Sequence, residues 1–187
     1  DVVARVAMAA GQVFLGADES SLKPAEPGMP VLVNEVVKTG AASKVTIHLK
    51  DGSSIEVKPE STIRMPVLEV NGTARQVKVE VLRGGIVADV RKAGQLSKFE
   101  ASSRVSVASV RGTQFRLGVD EAGQTRIETL VGQVGVTPTA DPNAPAIEIS
   151  SGHGTLVSAQ GKVGPARAIP AEPRVTSPQK GPMGADQ

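Results

Sequence analysis

Alternation of apolar and polar residues in the stretch KVTIHLKDGSSIEVK (44–58) constrains the fold of this chain more than any other feature. Apolar residues occupy every second position from Val45 to Leu49, and the pattern resumes at Ile55 and Val57. A period of two is that of a strand with one buried face. The Asp-Gly dipeptide between the two segments is a strong signal for a tight turn. The stretch therefore predicts a β-hairpin.

The same pattern recurs along most of the chain. The segment QVKVEVLRG (76–84) alternates, Asn71-Gly72 precedes it, and Gly84-Gly85 is expected to turn the chain into IVADVRK (86–92). No window has a sustained helical period, and the 20 glycines and 13 prolines favour short strands joined by tight turns. We therefore predict an all-β fold, a single domain of short antiparallel strands and hairpins arranged as a β-sandwich or a solenoid-like stack.

The composition changes towards the C-terminus. We expect a β-domain over residues 1–160 and an extended tail rich in Pro, Gly and Ala over residues 161–187, because the tail has too few large apolar residues to form a core. Such a tail is expected to dock on a neighbouring chain or on the domain's own surface. Its candidate partner-binding residues are Ile169, Pro170, Pro173 and Val175.

Charge and composition exclude several classes of function. The 21 basic and 19 acidic residues are scattered, and the chain has three Phe, no Trp and no Tyr, so neither a basic stripe nor stacking platforms for nucleic acid are present. Without cysteine there is no disulfide scaffold, zinc ribbon or thiol chemistry. No segment is apolar and long enough to cross a bilayer, and the start DVVARVAMAA without Met suggests a processed or trimmed form.

Few residues are candidates for catalysis or ligand binding. Asp51 and Ser53 could form part of a nucleophilic site, but a hairpin turn is the favoured interpretation because no base is nearby. His48 and His153 are the only histidines and share no metal-ligand spacing. Gly84-Gly85 and the Gly-His-Gly segment lack the following helix that a phosphate loop needs. We therefore expect a protein that is not an enzyme and has no cofactor.

The segment SVRGTQFRL (109–117) interrupts a strand pattern with a charge and a glycine. Alternation places Arg111 on the face of Val107 and Ser109, which we interpret as buried, and Gly112 is read as a bulge that shifts the register. The favoured interpretation is that the guanidinium of Arg111 is held internally by backbone carbonyls or a carboxylate. A recognition arginine is the alternative.

Taken in order, these segments resemble the FecR domain. The resemblance runs through Lys38-Thr39-Gly40, Leu49 to Ser61, Leu82 to Val87, Val110 to Phe115 and Leu130 to Val136, and it covers roughly residues 5–158. The motif residues that carry it most clearly are Asp51, Gly52, Ser53, Val110, Arg111, Gly112, Thr113, Phe115 and Gly132.

The resemblance implies an all-β, non-enzymatic domain in the periplasm or outside the cell. Three functions follow as hypotheses. The first is a cell-envelope module for protein–protein interaction or scaffolding, whose partners are other envelope proteins or copies of itself, as expected for stand-alone secreted FecR-like proteins. The second is the periplasmic sensor module of FecR-type surface signalling, which controls a sigma factor. The third, and least favoured, is a ligand-binding or hydrolytic β-domain.

Overall fold

The computed structural model describes residues 2–72 and 74–170, which form strands and no helix. The prediction of an all-β fold is confirmed. The strands are β1 Ala4–Ala10, β2 Val13–Gly16, β3 Lys23–Pro24, β4 Pro30–Val31, β5 Val36–Thr39, β6 Lys44–Leu49, β7 Ser54–Val57, β8 Thr62–Asn71, β9 Ala74–Val90, β10 Lys98–Ser102, β11 Ser106–Val110, β12 Thr113–Val119, β13 Thr125–Val131, β14 Gln133–Pro138, β15 Ile147–Ser150, β16 His153–Val157 and β17 Arg167–Ala168.

The strands form two sheets that share β9. Sheet A has the order β4–β1–β6–β7–β9–β12–β13–β16–β17. Sheet B has the order β3–β2–β5–β8–β9–β10–β11–β14–β15. From β10 onwards, successive hairpins alternate between the two sheets. Each hairpin therefore adds two strands to one sheet, and the next hairpin adds two strands to the other. Within the described residues, all strand pairings are antiparallel except that of β9 with β10.

The predicted turn at Gly84-Gly85 is wrong, because β9 runs through both glycines without reversing. Its first part pairs with β8 in sheet B, and its last part pairs with β12 in sheet A. Gly84 has φ +77°, and a Cβ there would lie 2.7 Å from the Cα of Ser61. The glycine therefore lets the strand change sheets against a close neighbouring backbone.

The hairpin over residues 44–58 is confirmed. Strands β6 and β7 pair with Val45 opposite Val57 and Ile47 opposite Ile55, and all four side chains are buried. The sheets enclose one apolar core, in which Phe99 of sheet B meets Phe115 of sheet A edge to face, with ring centroids 6.4 Å apart. Such an aromatic pair stabilises a core beyond its buried area alone.

The buried face of β11 differs from the prediction. Ser106, Ala108 and Val110 point into the core, whereas Val107 is half-buried and Ser109 is exposed on the outer face of sheet B. Alternation divides a strand into two faces without saying which one is buried, so the larger valines suggested the wrong face.

The first residues of the predicted tail lie along the edge of sheet A. Val163 forms a β-bridge with Val157, the Thr155 hydroxyl donates a hydrogen bond to the Gly164 carbonyl (2.7 Å), and β17 pairs with β16. The candidate partner-binding residues Pro173 and Val175 lie outside the described residues.

Candidate functional site

Most of the motif residues that carry the family resemblance most clearly, from Asp51 to Gly132, meet at one end of the sandwich. There the turns around residues 51–53, 91–92, 111–112, 131–133 and 151–152 contact one another in sequence. We call this set the turn row. It is held by buried polar contacts, and one side chain that sequence analysis overlooked, Arg75, lies at its centre.

Arg75 is only 3% exposed, at the start of β9. Its Nη1 donates hydrogen bonds to Asp51 Oδ2 (2.5 Å) and Ser53 Oγ (3.3 Å), and its Nη2 donates to the Arg91 carbonyl and, at 3.5 Å, to that of Arg111. One guanidinium thus links three turns. Arg75 Nε is buried and has no hydrogen-bond partner within the described ranges. The sequence did contain a signal that Arg75 is buried. Arg75 precedes Val77 by two residues, so it lies on the same face of β9 as Val77 and the alternate buried residues that follow.

The Asp-Gly-Ser turn provides the anionic side of this network. Ser53 donates hydrogen bonds from its backbone N–H to Asp51 Oδ1 (2.9 Å) and from its hydroxyl to Oδ2 (3.2 Å), while Gly52 has φ +90°. Burial alone would raise the pKa of the Asp51 carboxyl, but the hydrogen bonds from Arg75 and Ser53 and the charge of Arg75 outweigh it. They hold that pKa below its ordinary value of 3.8. Asp51 is therefore ionised at neutral pH and orients Arg75.

Gly112 and Gly132 allow neighbouring turns to approach closely. A Cβ on Gly112 would lie 2.8 Å from the Cα of Lys92. Gly132 has φ +93°, and a Cβ there would lie 2.9 Å from the Gly112 carbonyl oxygen. The Thr113 hydroxyl donates a hydrogen bond to the Gln133 carbonyl (3.1 Å). These glycines connect strands of different sheets, so the expected bulge at Gly112 is instead the turn from β11 to β12.

The predicted internal anchoring of the Arg111 side chain is wrong. Arg111 is exposed, and within the described chain only its backbone carbonyl is held, by Arg75. Its guanidinium makes no hydrogen bond or ion pair with the residues described. The buried arginine is Arg75, because it lies on the face of β9 that points into the core. Arg111 comes two residues after the exposed Ser109 and therefore lies on the outer face.

The side chain of Arg111 lines a depression of about 440 Å³ on the outer face of sheet B, which we call the Arg111 groove. It lies over β10, β11, β14 and β15. Its floor contains the small residues Ser109 and Gly135, which are directly opposite each other in adjacent strands. Because small side chains lie between longer ones, the sheet surface is hollow there. Ser97 and Phe99 also border it.

Charged groups surround this floor. Glu100 lies opposite Ser109, and Glu148 lies opposite Gly135, so the two carboxylates flank the groove at the same level. Arg111 lies at the end next to the turn row. Glu148 leans over the glycine, with Oε1 3.3 Å from the place a Cβ of Gly135 would occupy. Glu100, Glu148 and Arg111 form no ion pair with one another or with any other residue in the described part. The charged groups on the rim of the groove are therefore available to a partner segment of complementary charge.

The remaining candidates lie elsewhere. His48 is exposed on β6, and His153 is exposed beside Ser151, whose carbonyl is 3.1 Å from Nδ1. Ile169 and Pro170 border a second hollow, of about 380 Å³, over the exposed Leu156. Gly84-Gly85 contacts the buried Ser61 hydroxyl rather than open space. Over the ranges described, no helix has the length and apolarity needed to span a membrane.

Fold and site together define a two-sheet β-sandwich that carries a polar groove next to a row of close-packed turns. The particular family follows from sequence comparison. The family model for FecR protein matches residues 35–135, more than half of the chain. The chain therefore belongs to the FecR family, and the resemblance inferred from its motifs is confirmed. The matched range contains every turn of the turn row except that at residues 151–152, and it contains most of the Arg111 groove.

Solved structures share the fold. Two crystal structures of a candidate anti-sigma factor from Parabacteroides distasonis ATCC 8503, at 1.65 and 2.50 Å resolution, each match with a TM-score of 0.57 and 16% identity. The match covers 71% of this chain and 59% of that protein, so this chain spans about three fifths of its length. No curated protein sequence matches the chain.

Proposed function

We propose that this chain is the sensor module of a FecR-type signalling protein, acts in the periplasm, and controls a sigma factor through protein contacts rather than catalysis. Membership of the FecR family supports the signalling role, and the fold shared with a candidate anti-sigma factor agrees with it. The periplasmic location rests on what is general for FecR domains. The observation on which the proposal rests most is the Arg111 groove. Its charged side chains are unpaired within the described residues, and the backbone of Arg111 is held by the buried Arg75.

In this proposal the groove receives a segment of a partner protein. The backbone at Arg111 is fixed by Arg75 and by the contact of Gly112 with Lys92, so the side chain starts from a defined position. A preorganised charged group loses less conformational entropy on binding than one on a mobile loop. Unpaired charges on a surface also set partner choice and the rate of encounter more than they set affinity.

The test is transcriptional. The gene is deleted in its host and complemented with wild type, with Arg111→Glu, or with the matched charge reversal Lys23→Glu on the exposed edge strand β3. We expect deletion to change a small set of transcripts that depend on one sigma factor, Arg111→Glu to behave like the deletion, and Lys23→Glu to behave like wild type at equal protein level. An unchanged transcriptome after deletion would refute the signalling role.

A scaffold module of the cell envelope is the second candidate. The observation that favours it is the edge strand β15, which pairs only with β14 in the described part of the chain and can accept a further strand. Light scattering on the purified full chain tests this candidate. A concentration-dependent oligomer that Ile147→Pro, at an exposed position of β15, abolishes without loss of the monomer fold supports the scaffold, whereas a monomer at every concentration argues against it.

A further inference from the structure

We propose that the outer face of sheet A holds a further docking site, which binds an extended acidic segment of a partner protein with a large apolar side chain at its centre. The site is the hollow of about 380 Å³ bordered by Ile169 and Pro170, which we call the β16 hollow. It lies on the other sheet from the Arg111 groove, so the inference goes beyond the proposed function. It stands on three observations: an apolar floor, a fixed wall and two arginines without ion partners in the described chain.

The floor of the β16 hollow is formed by a glycine and a leucine. Gly154 and Leu156 lie on the outer face of β16, whereas Thr155 between them is buried. The glycine leaves the sheet surface low at its position, and Leu156, which is 42% exposed, presents an apolar surface beside it. Glu128 lies opposite Gly154 in β13, and its carboxylate is 3.5 Å from the Arg116 guanidinium. The negative charge next to the floor is therefore already paired.

A short strap of chain, residues 164–170, forms the wall of the hollow along β16. The Gly164 N–H donates a hydrogen bond to the Leu156 carbonyl (2.9 Å), and the Ile169 N–H donates one to the Gly152 carbonyl (2.8 Å). Between these ends β17 pairs with β16, and two residues of the strap are prolines. Because both ends are attached and proline restricts the backbone, the wall is formed before a partner binds, which lowers the entropy lost on binding.

Two arginines give the hollow its charge. Arg126 lies opposite Leu156 in β13, and Arg167 lies opposite Gly154 in β17. Both are exposed, and neither guanidinium makes a hydrogen bond or ion pair with another residue in the described ranges. Their backbones are two strands apart and one two-residue step along, which amounts to about 12 Å, so both long side chains can reach a segment that lies between them. Carboxylates are the groups that a guanidinium binds most strongly, so the segment is expected to be acidic.

The shape of the site favours an extended segment over a compact ligand. A second depression shares Arg126 and Leu156 with the β16 hollow and continues it beside Gly118. Along β16 the two extend from the level of Gly152 to that of Val157, which is about 17 Å. Five extended residues fit this length, with a central apolar side chain over the glycine of the floor and a carboxylate on either side for the arginines. An apolar anchor in a hollow with charged groups at its rim is a common basis of protein binding.

Nuclear magnetic resonance titrations of the isotope-labelled full chain test the proposal with three probes. They are the capped peptide Gly-Asp-Phe-Asp-Gly, the same peptide with lysine in place of both aspartates, and hexanoate, which has an apolar and an anionic group but no peptide backbone. We expect the acidic peptide to shift the amide signals of β13, β16 and β17 and the lysine peptide to leave them unchanged. Hexanoate should bind at least about tenfold more weakly than the acidic peptide, because it cannot reach both arginines.

Charge reversal separates this site from a general attraction of acidic peptides. Arg126→Glu/Arg167→Glu should weaken binding of the acidic peptide at least about tenfold and should let the lysine peptide bind. Arg83→Glu/Arg104→Glu changes the net charge equally, at exposed arginines that do not line the hollow, and should leave binding unchanged. Equal losses in the two double variants, no shifts with the acidic peptide, or equal affinities for peptide and hexanoate would overturn the proposal. Because the readout is binding and Arg111 is unchanged, this proposal and the signalling role can fail separately.

Discussion

Replacing Arg75 by methionine is the most direct test of how the turn row is held. The substitution keeps an unbranched side chain in the core but removes every hydrogen bond of the guanidinium, to Asp51, Ser53 and the carbonyls of Arg91 and Arg111. It leaves a carboxylate whose side chain is only 12% exposed without its cation. Removing one partner of such a buried pair costs about 3–5 kcal/mol of the free energy of unfolding.

For a chain of this size, each kcal/mol corresponds to about 2–4 °C in melting temperature, so we expect Arg75→Met to lower Tm by about 6–20 °C at neutral pH. The matched control is Arg111→Met, which removes an exposed guanidinium with no partner among the described residues and should change stability by less than about 0.5 kcal/mol. Circular dichroism melts compare the two. Equal losses in both variants would refute the assignment of the buried role to Arg75.

A second variant separates the energetic cost of the lost hydrogen bonds from the cost of leaving the Asp51 carboxylate without its cation. In Arg75→Met/Asp51→Asn no carboxylate is left without its cation, so we expect the double variant to be more stable than Arg75→Met alone. If the two changes instead add, the two side chains act independently, and the description of them as a pair is wrong.

Three further predictions follow from the same structure. The pKa of Asp51 is lowered in the fold, so its stabilising contribution is complete above pH 3.8 and is lost as the pH falls through the folded-state value; the Tm difference between wild type and Asp51→Asn should therefore be larger at pH 7 than at pH 2.5. Gly112→Ala places a methyl group 2.8 Å from a neighbouring backbone carbon and should cost about 1–3 kcal/mol in denaturant melts, whereas Gly94→Ala, with nothing within 4 Å, should not destabilise. A double-mutant cycle with Phe99→Leu and Phe115→Leu should give a coupling of about 0.5–1.5 kcal/mol, and additive losses would show that the ring contact contributes nothing.

The sequence predicts the fold well where the evidence is local. The period of two around Val45 and the Asp-Gly dipeptide predict the hairpin over 44–58, because strand faces and tight turns depend on neighbouring residues. The role of Gly84 was predicted wrongly because a pair of glycines indicates an irregular backbone but does not distinguish a turn from a strand that changes sheets. Here it lets β9 cross between sheets against Ser61, a contact 23 residues away in sequence.

The candidate site was harder to predict because it depends on which strands become neighbours. Glu100 and Glu148 face the same groove only because β11 pairs with β14, a connection that no local pattern reveals. Arg75 was within reach, since it continues the alternation of Val77 backwards by two residues. It was overlooked because a charged residue is usually assigned to the solvent face, and a buried arginine becomes plausible only when its partners are known.

The Val-Arg-Gly-Thr segment has a structural role in its backbone, and its Arg111 side chain is the part that is available for binding a partner. The carbonyl of Arg111 is held by Arg75, and Gly112 packs against the backbone of Lys92. Both contacts fix the main chain and neither involves the Arg111 guanidinium. Substitutions of the glycine should therefore act on stability, and substitutions of the exposed arginine on binding. A side chain mounted on a rigid backbone is the arrangement in which these two effects can be changed independently.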